Sequence, residues 1–228
     1  MTKTCIDPSA ITEGDLIRFV DGEAEDAIVD HVEQCPSCAE EAEALGWLQA
    51  ALKAKLSPTA DPEELRQVYK PDEVRLLLVG ESPPAGHTFF YRGDSNLCRY
   101  TQEAFSAAFG TEYEDAGSFL VHFWRMGCYL DDLCLVPVNN LSKAERRAER
   151  RRGIEPLAER MAEMSPRMVV VVMKGIARHV QQAVKQAGLT GVPLRALPFP
   201  AMGHQAKYVE GLARALRDLR TVGVLSPF

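Results

Sequence analysis

Four short apolar runs, at 74–79 (VRLLLV), 133–138 (LCLVPV), 168–173 (MVVVVM) and 194–197 (LRAL), alternate with helical patterns through the C-terminal two thirds of this 228-residue chain. Runs of this kind, with at most one charge each, suit strands buried on both faces of a parallel sheet. The intervening segments, 97–109 with 118–130, 142–164, 176–187 and 205–219, carry helical spacing. This β-α-β-α-β-α-β-α order predicts an α/β fold: a central four-stranded parallel sheet in a three-layer α/β/α domain over 73–228.

The first run stops at Gly80, and Glu81-Ser82-Pro83-Pro84-Ala85-Gly86 follows as a stiff turn. It delivers a carboxylate to the carboxyl end of a strand, where open α/β proteins hold their ligands. After the second run comes Lys143-Ala-Glu-Arg146-Arg147-Ala-Glu-Arg150-Arg151-Arg152, with six basic residues against two acidic. Its arginines and Glu145 and Glu149 share helical spacing, so it reads either as a salt-bridged face or as a phosphate-binding strip.

The N-terminal segment differs. Leu16, Ile17, Phe19 and Val20 give one helix an apolar stripe, and a second runs from near Ala24, breaks around Pro36 and resumes to Leu56. At the break stands HVEQCPSC over 31–38. His31 and Cys35 are four apart on one helical face and Cys38 lies across the turn, so three soft ligands converge on one tetrahedral ion, with Cys5 available as a fourth. A zinc ion would supply much of the folding free energy of a piece this small. The proline-rich, polar stretch 57–72 reads as a linker between this helical zinc-binding domain (1–56) and the α/β domain.

Charge divides the same way. Residues 1–72 hold 6 Lys and Arg against 16 Asp and Glu, a net of −10, and residues 73–228 hold 20 against 16, a net of +4. The C-terminal part suits a polyanion; the acidic part suits a protein contact or a purely structural role. Neither a membrane span nor a signal peptide is legible, which leads to the expectation of a cytoplasmic protein. Six cysteines in such a chain point to metal binding or core packing rather than disulfides.

The N-terminal part resembles the zinc-binding anti-sigma domain, through Phe19-Val20-Asp21-Gly22-Glu23-Ala24 and the His-x3-Cys-x2-Cys core at His31, Cys35 and Cys38. That resemblance implies Cys5 as the fourth ligand and a sigma-like protein partner. The rest is similar to the uracil-DNA glycosylase superfamily, closest to its branch with a GEAPG first motif. The carriers are Gly80-Glu81-Ser82-Pro83-Pro84, Phe89-Phe90, the crossover into the third run and Pro198-Phe199-Pro200-Ala201-Met202-Gly203-His204.

What this second resemblance implies is a DNA glycosylase that flips a base and hydrolyses its N-glycosidic bond. Glu81 and Ser82 fall at the water-aligning positions, and Phe89 or Phe90 at the aromatic that stacks on the base. Gly80 lies beside the base. The Asn that reads its edge, expected at the end of the second strand, has Asn139 or Asn140 as substitutes, since Pro137 falls near that place. His204 is the candidate for the imidazole that stabilises the leaving base, because Phe199 stands where the family has His. Lys143, Arg146, Arg147, Arg150 and Lys207 would hold phosphates. The branch's iron–sulfur cluster is not expected, because the loop after the second run lacks cysteine. The competing reading is a zinc-dependent regulator whose glycosylase-like domain is catalytically idle.

Overall fold

The computed structural model describes residues 11–20, 22–56, 61–86 and 88–225. They form two compact units, divided between residues 60 and 61.

The first unit contains helices α1 (Glu13–Val20), α2 (Asp26–Gln34) and α3 (Pro36–Leu56). Leu16, Val32, Cys35, Cys38 and Ala42 form its buried core, with Phe19, Val20 and Ile28 packed around them. Cys35 makes the corner between α2 and α3. Its backbone is extended, its N–H donates to the His31 carbonyl at 2.8 Å, and its own carbonyl accepts from Ala39 at 3.0 Å. Pro36 opens α3, where the missing N–H costs nothing because the first turn has no acceptor for it.

The second unit is an α/β fold: four parallel strands, β1 (Leu76–Gly80), β2 (Cys128–Asp132), β3 (Met168–Val171) and β4 (Leu194–Ala196), in the order β2-β1-β3-β4. Helices flank the sheet: α4 (Pro62–Val68), α5 (Asn96–Phe109), α6 (Ala116–Arg125), α7 (Lys143–Arg152), α8 (Ile154–Met164), α9 (Ala177–Gln186) and α10 (Gln205–Thr221). α5 packs on α10, and α8 on α9. β1, β2 and β3 are buried throughout, the state that the apolar runs of β1 and β3 require.

Two expectations are corrected. The second strand is 128–132 (CYLDD), not 133–138, which is an irregular loop with Leu135 and Val136 exposed. The expected helix ending at Leu130 stops at Arg125 because Gly127, at φ 70°, turns the chain where a side chain would strike the Glu73 carbonyl. Nor is 61–69 a linker. Asp61 closes a capping box on α4, and Leu65, Arg66 and Tyr69 are buried in the second unit.

Both corrections share one cause. Arg66 is 2 % exposed and reaches Asp131 Oδ1 at 3.2 Å and Asp132 Oδ2 at 2.9 Å, while Arg160 reaches Asp131 Oδ2 at 2.7 Å and the Asp132 carbonyl at 2.8 Å. Two acidic residues can occupy a fully buried strand because two arginines, one from α4 and one from α8, pair with them.

Candidate active site and metal group

The chain leaves β1 for β2 on one side and leaves β3 for β4 on the other, so the strand order reverses between β1 and β3, where doubly wound sheets open a ligand crevice. A cleft of about 540 Å³ lies there, lined by the loop after β1, the start of α5, the end of β2 and the loop before α10.

Gly80 ends β1 opposite Asp132, the last residue of β2. A Cβ at Gly80 would fall far inside contact distance of Asp132 Oδ1, so glycine is what leaves the Asp132 carboxylate room to lie where it does. The loops beyond are laced together: Leu133 donates to the Gly80 carbonyl at 2.9 Å and Cys134 to the Glu81 carbonyl at 2.8 Å.

Glu81 is only 9 % exposed. Its Oε1 accepts from Arg146 Nε at 2.7 Å and Arg150 Nε at 2.6 Å, and a second Arg146 nitrogen binds Oε2. Both arginines come from α7, which starts at Ser142 with a capping box closed by Glu145. Burial raises the Glu81 carboxyl, but hydrogen bonds and charge from Arg146 and Arg150 outweigh it and hold the group below the ordinary carboxylate value. Arg146 and Arg150 therefore spend charge on Glu81, whereas Lys143 and Arg147 are exposed and make no ion pair among the described residues.

Ser82 lines the cleft, but its hydroxyl donates to the Pro83 carbonyl at 3.1 Å and accepts from Val138 N at 3.3 Å, which fixes the loop. Phe89 and Phe90 both line the cleft and both are 3 % exposed. Phe90 stands edge-on to Tyr91 and tilted against Phe123, and Phe89 has the Arg66 guanidinium 5.7 Å from its ring centre. His204 lines the same cleft from the N-terminal end of α10, exposed and without a capping hydrogen bond. Asn139 joins the lining; Asn140, Lys143, Arg147 and Lys207 are exposed and outside it. Phe199, 42 % exposed, and Met202, 96 % exposed, stand among the lining residues.

The residue at the end of the second strand is Asp132, not Pro137 and neither Asn139 nor Asn140. Sequence reasoning missed it because the strand was set five residues too late. Gly127, punctuating a helical pattern just ahead of Tyr129-Leu130, was the available signal. Burial raises the Asp132 carboxyl, and the charge and hydrogen bond of Arg66 lower it only in part, leaving it above its ordinary value.

In the first unit His31, Cys35 and Cys38 bring one ligand atom each to within 4.8 Å of one another, a group that could hold a metal ion. His31 Nε2 and Cys38 Sγ are 3.3 Å apart, close to the edge of about 3.5 Å that zinc–sulfur and zinc–nitrogen bonds define in a tetrahedron. The helix–corner–helix geometry produces the convergence, with His31 one turn before the Cys35 corner and Cys38 one turn after it. Cys5 lies outside the described residues.

Searches against protein-family models and against curated proteins find no match to this chain. Among the described residues no helix is long and apolar enough to cross a membrane.

Proposed function

We propose that the second unit is a three-layer α/β/α DNA glycosylase, hydrolysing the N-glycosidic bond of uracil or another modified base swung out of its strand. The observation that carries this reading is the convergence of Glu81, Asp132, Phe89, Phe90, Arg146 and His204 on one cleft at the carboxyl edge of the sheet.

A flipped base needs an apolar slot, which Phe89, Phe90, Pro83 and Pro84 provide. In the reaction the C1′–N bond breaks, its electron pair leaves with the base, and water adds to the sugar carbon. The water's proton ends on the departing base. His204 and Asn139 donate to that base as its charge builds, and Glu81 orients the water.

Glu81 clamped by two arginines is a weak base. DNA phosphates arriving at α7 draw Arg146 and Arg150 outward, and because burial alone raises the Glu81 carboxyl, losing them strengthens it as a base. Lys143, Arg147 and Lys207 hold the flanking phosphates. The first unit binds one zinc ion through His31, Cys35, Cys38 and Cys5, closed to chemistry by its four protein ligands. Its acidic surface faces a protein partner rather than DNA.

Incubation with oligonucleotides carrying a panel of modified bases, followed by alkali, tests the reading. Strand cleavage on at least one substrate, lost in Glu81→Gln, is expected; no cleavage on any substrate, with tight binding to a protein partner, would favour the regulator. Elemental analysis should find one zinc per chain, falling to none in Cys35→Ser with Cys38→Ser.

A further inference from the structure

Asp132 is 4 % exposed, yet it lines the cleft. Its Oδ2 accepts from Arg66, and its backbone N–H donates to Asp131 Oδ1 at 2.7 Å, which fixes its orientation. Oδ1 lies over Gly80 and accepts no hydrogen bond among the described residues. The cleft thus offers, at its floor, one carboxylate oxygen to which the described residues give no donor. A ligand that covers this oxygen must replace the water it displaces with a donor of its own, or the desolvation cost is not recovered.

From this geometry we infer that Asp132 is the specificity-determining contact of the cleft, and that it selects a base presenting an exocyclic amine rather than uracil. The inference rests on the reading of the cleft as a nucleobase pocket. Uracil and thymine flank their ring N–H with two carbonyls, and a carboxylate facing that edge meets one donor and two repelling oxygens. Cytosine and adenine present an amine, and guanine presents an amine beside a ring N–H, so each can satisfy Oδ1. Carboxylates read amine donors on bases for the same reason elsewhere in nucleic-acid recognition.

Arg66 and Arg160 hold the aspartate pair rigidly, so Asp132 cannot turn away from a mismatched edge. The charges facing it are Arg66 from α4, Arg160 from α8 and Asp131 beside it on β2. Arg66 also pairs with Glu63, so two arginines stand against three carboxylates and the site does not call for an anionic ligand.

The experiment measures binding of 9-methylguanine, 1-methylcytosine and 1-methyluracil to the intact chain by calorimetry, a format that requires no catalysis. At least one amine-bearing base should bind about tenfold or more tighter than 1-methyluracil, the size of a lost hydrogen bond to a charged group. In Asp132→Asn, whose amide adds a donor, that preference should shrink or reverse. Uracil binding as tightly as the amine-bearing bases would overturn the inference and leave the pocket standing; binding of none of the three would remove the pocket and the inference together. The wild-type comparison decides the matter even if Asp132→Asn fails to fold.

Discussion

Glu81 and Asp132 stand at the ends of neighbouring strands, both carboxylates held by arginine, and the two clusters are built in opposite ways. Glu81 takes two arginines from a single helix, Arg146 and Arg150, whose side chains remain 34 % and 17 % exposed. The cluster carries a net positive charge and lies open to a competing anion. Asp132 shares Arg66 and Arg160 with Asp131, and both aspartates and Arg66 are sealed from water. With Glu63 also paired to Arg66 Nε at 3.0 Å, that cluster sets three carboxylates against two arginines and does not attract an anion. The open one can respond to a phosphate, whereas the sealed one holds a fixed acceptor in place.

Removing the centre of the sealed cluster should have the largest effect. Arg66→Met leaves two buried aspartates with Arg160 alone, and urea unfolding should show a loss of about 3–5 kcal/mol. A loss below about 1 kcal/mol would mean that water reaches the pair. Gly80→Ala comes next, because the new methyl group must displace Asp132 Oδ1. It should cost about 1–3 kcal/mol and abolish base binding in calorimetry. An unchanged affinity would detach Asp132 from the cleft floor.

The pH dependence should separate the two carboxylates by sign. Glu81 titrates below its ordinary value in the folded chain, so its contribution is present above that value and fades as the pH falls through the lowered one. Asp132 titrates above its ordinary value, so its contribution is greatest in acid and is lost as the pH rises through the raised one. Wild type minus Glu81→Gln should therefore gain stability with rising pH, while wild type minus Asp132→Asn should lose it. Slopes of the same sign would erase the contrast.

The smallest effect concerns DNA binding. Replacing Lys143 and Arg147 with alanine should reduce the slope of log affinity against log salt by about 2, and replacing Arg146 and Arg150 should reduce it by less, because part of their charge already rests on Glu81. Equal reductions would show that Glu81 releases both arginines completely on binding.

The same contrast governs what was legible in the sequence. β1, β3 and β4 were readable as apolar runs, and Glu81, Phe89, Phe90 and His204 fell on one cleft because strand ends and helix starts set their places. The sealed cluster was invisible for a physical reason: Asp131 and Asp132 make a strand look like a loop, and Arg66 makes a docked helix look like a linker. Hydropathy reads each residue alone, while burial of these charges depends on partners 65 positions apart. The Glu81–Arg146 pairing spans the same 65 positions and escapes the sequence for the same reason: the salt-bridged reading of 143–152 looks to Glu145 and Glu149 within the segment and not to Glu81.

The most direct measurement is the mass of what leaves the DNA. Modified-base oligonucleotides incubated with the intact chain and analysed by mass spectrometry should release a free nucleobase in equal number to the alkali-labile sites formed, and Glu81→Gln should release none. Oligonucleotides recovered at unchanged mass from every substrate would contradict the glycosylase account.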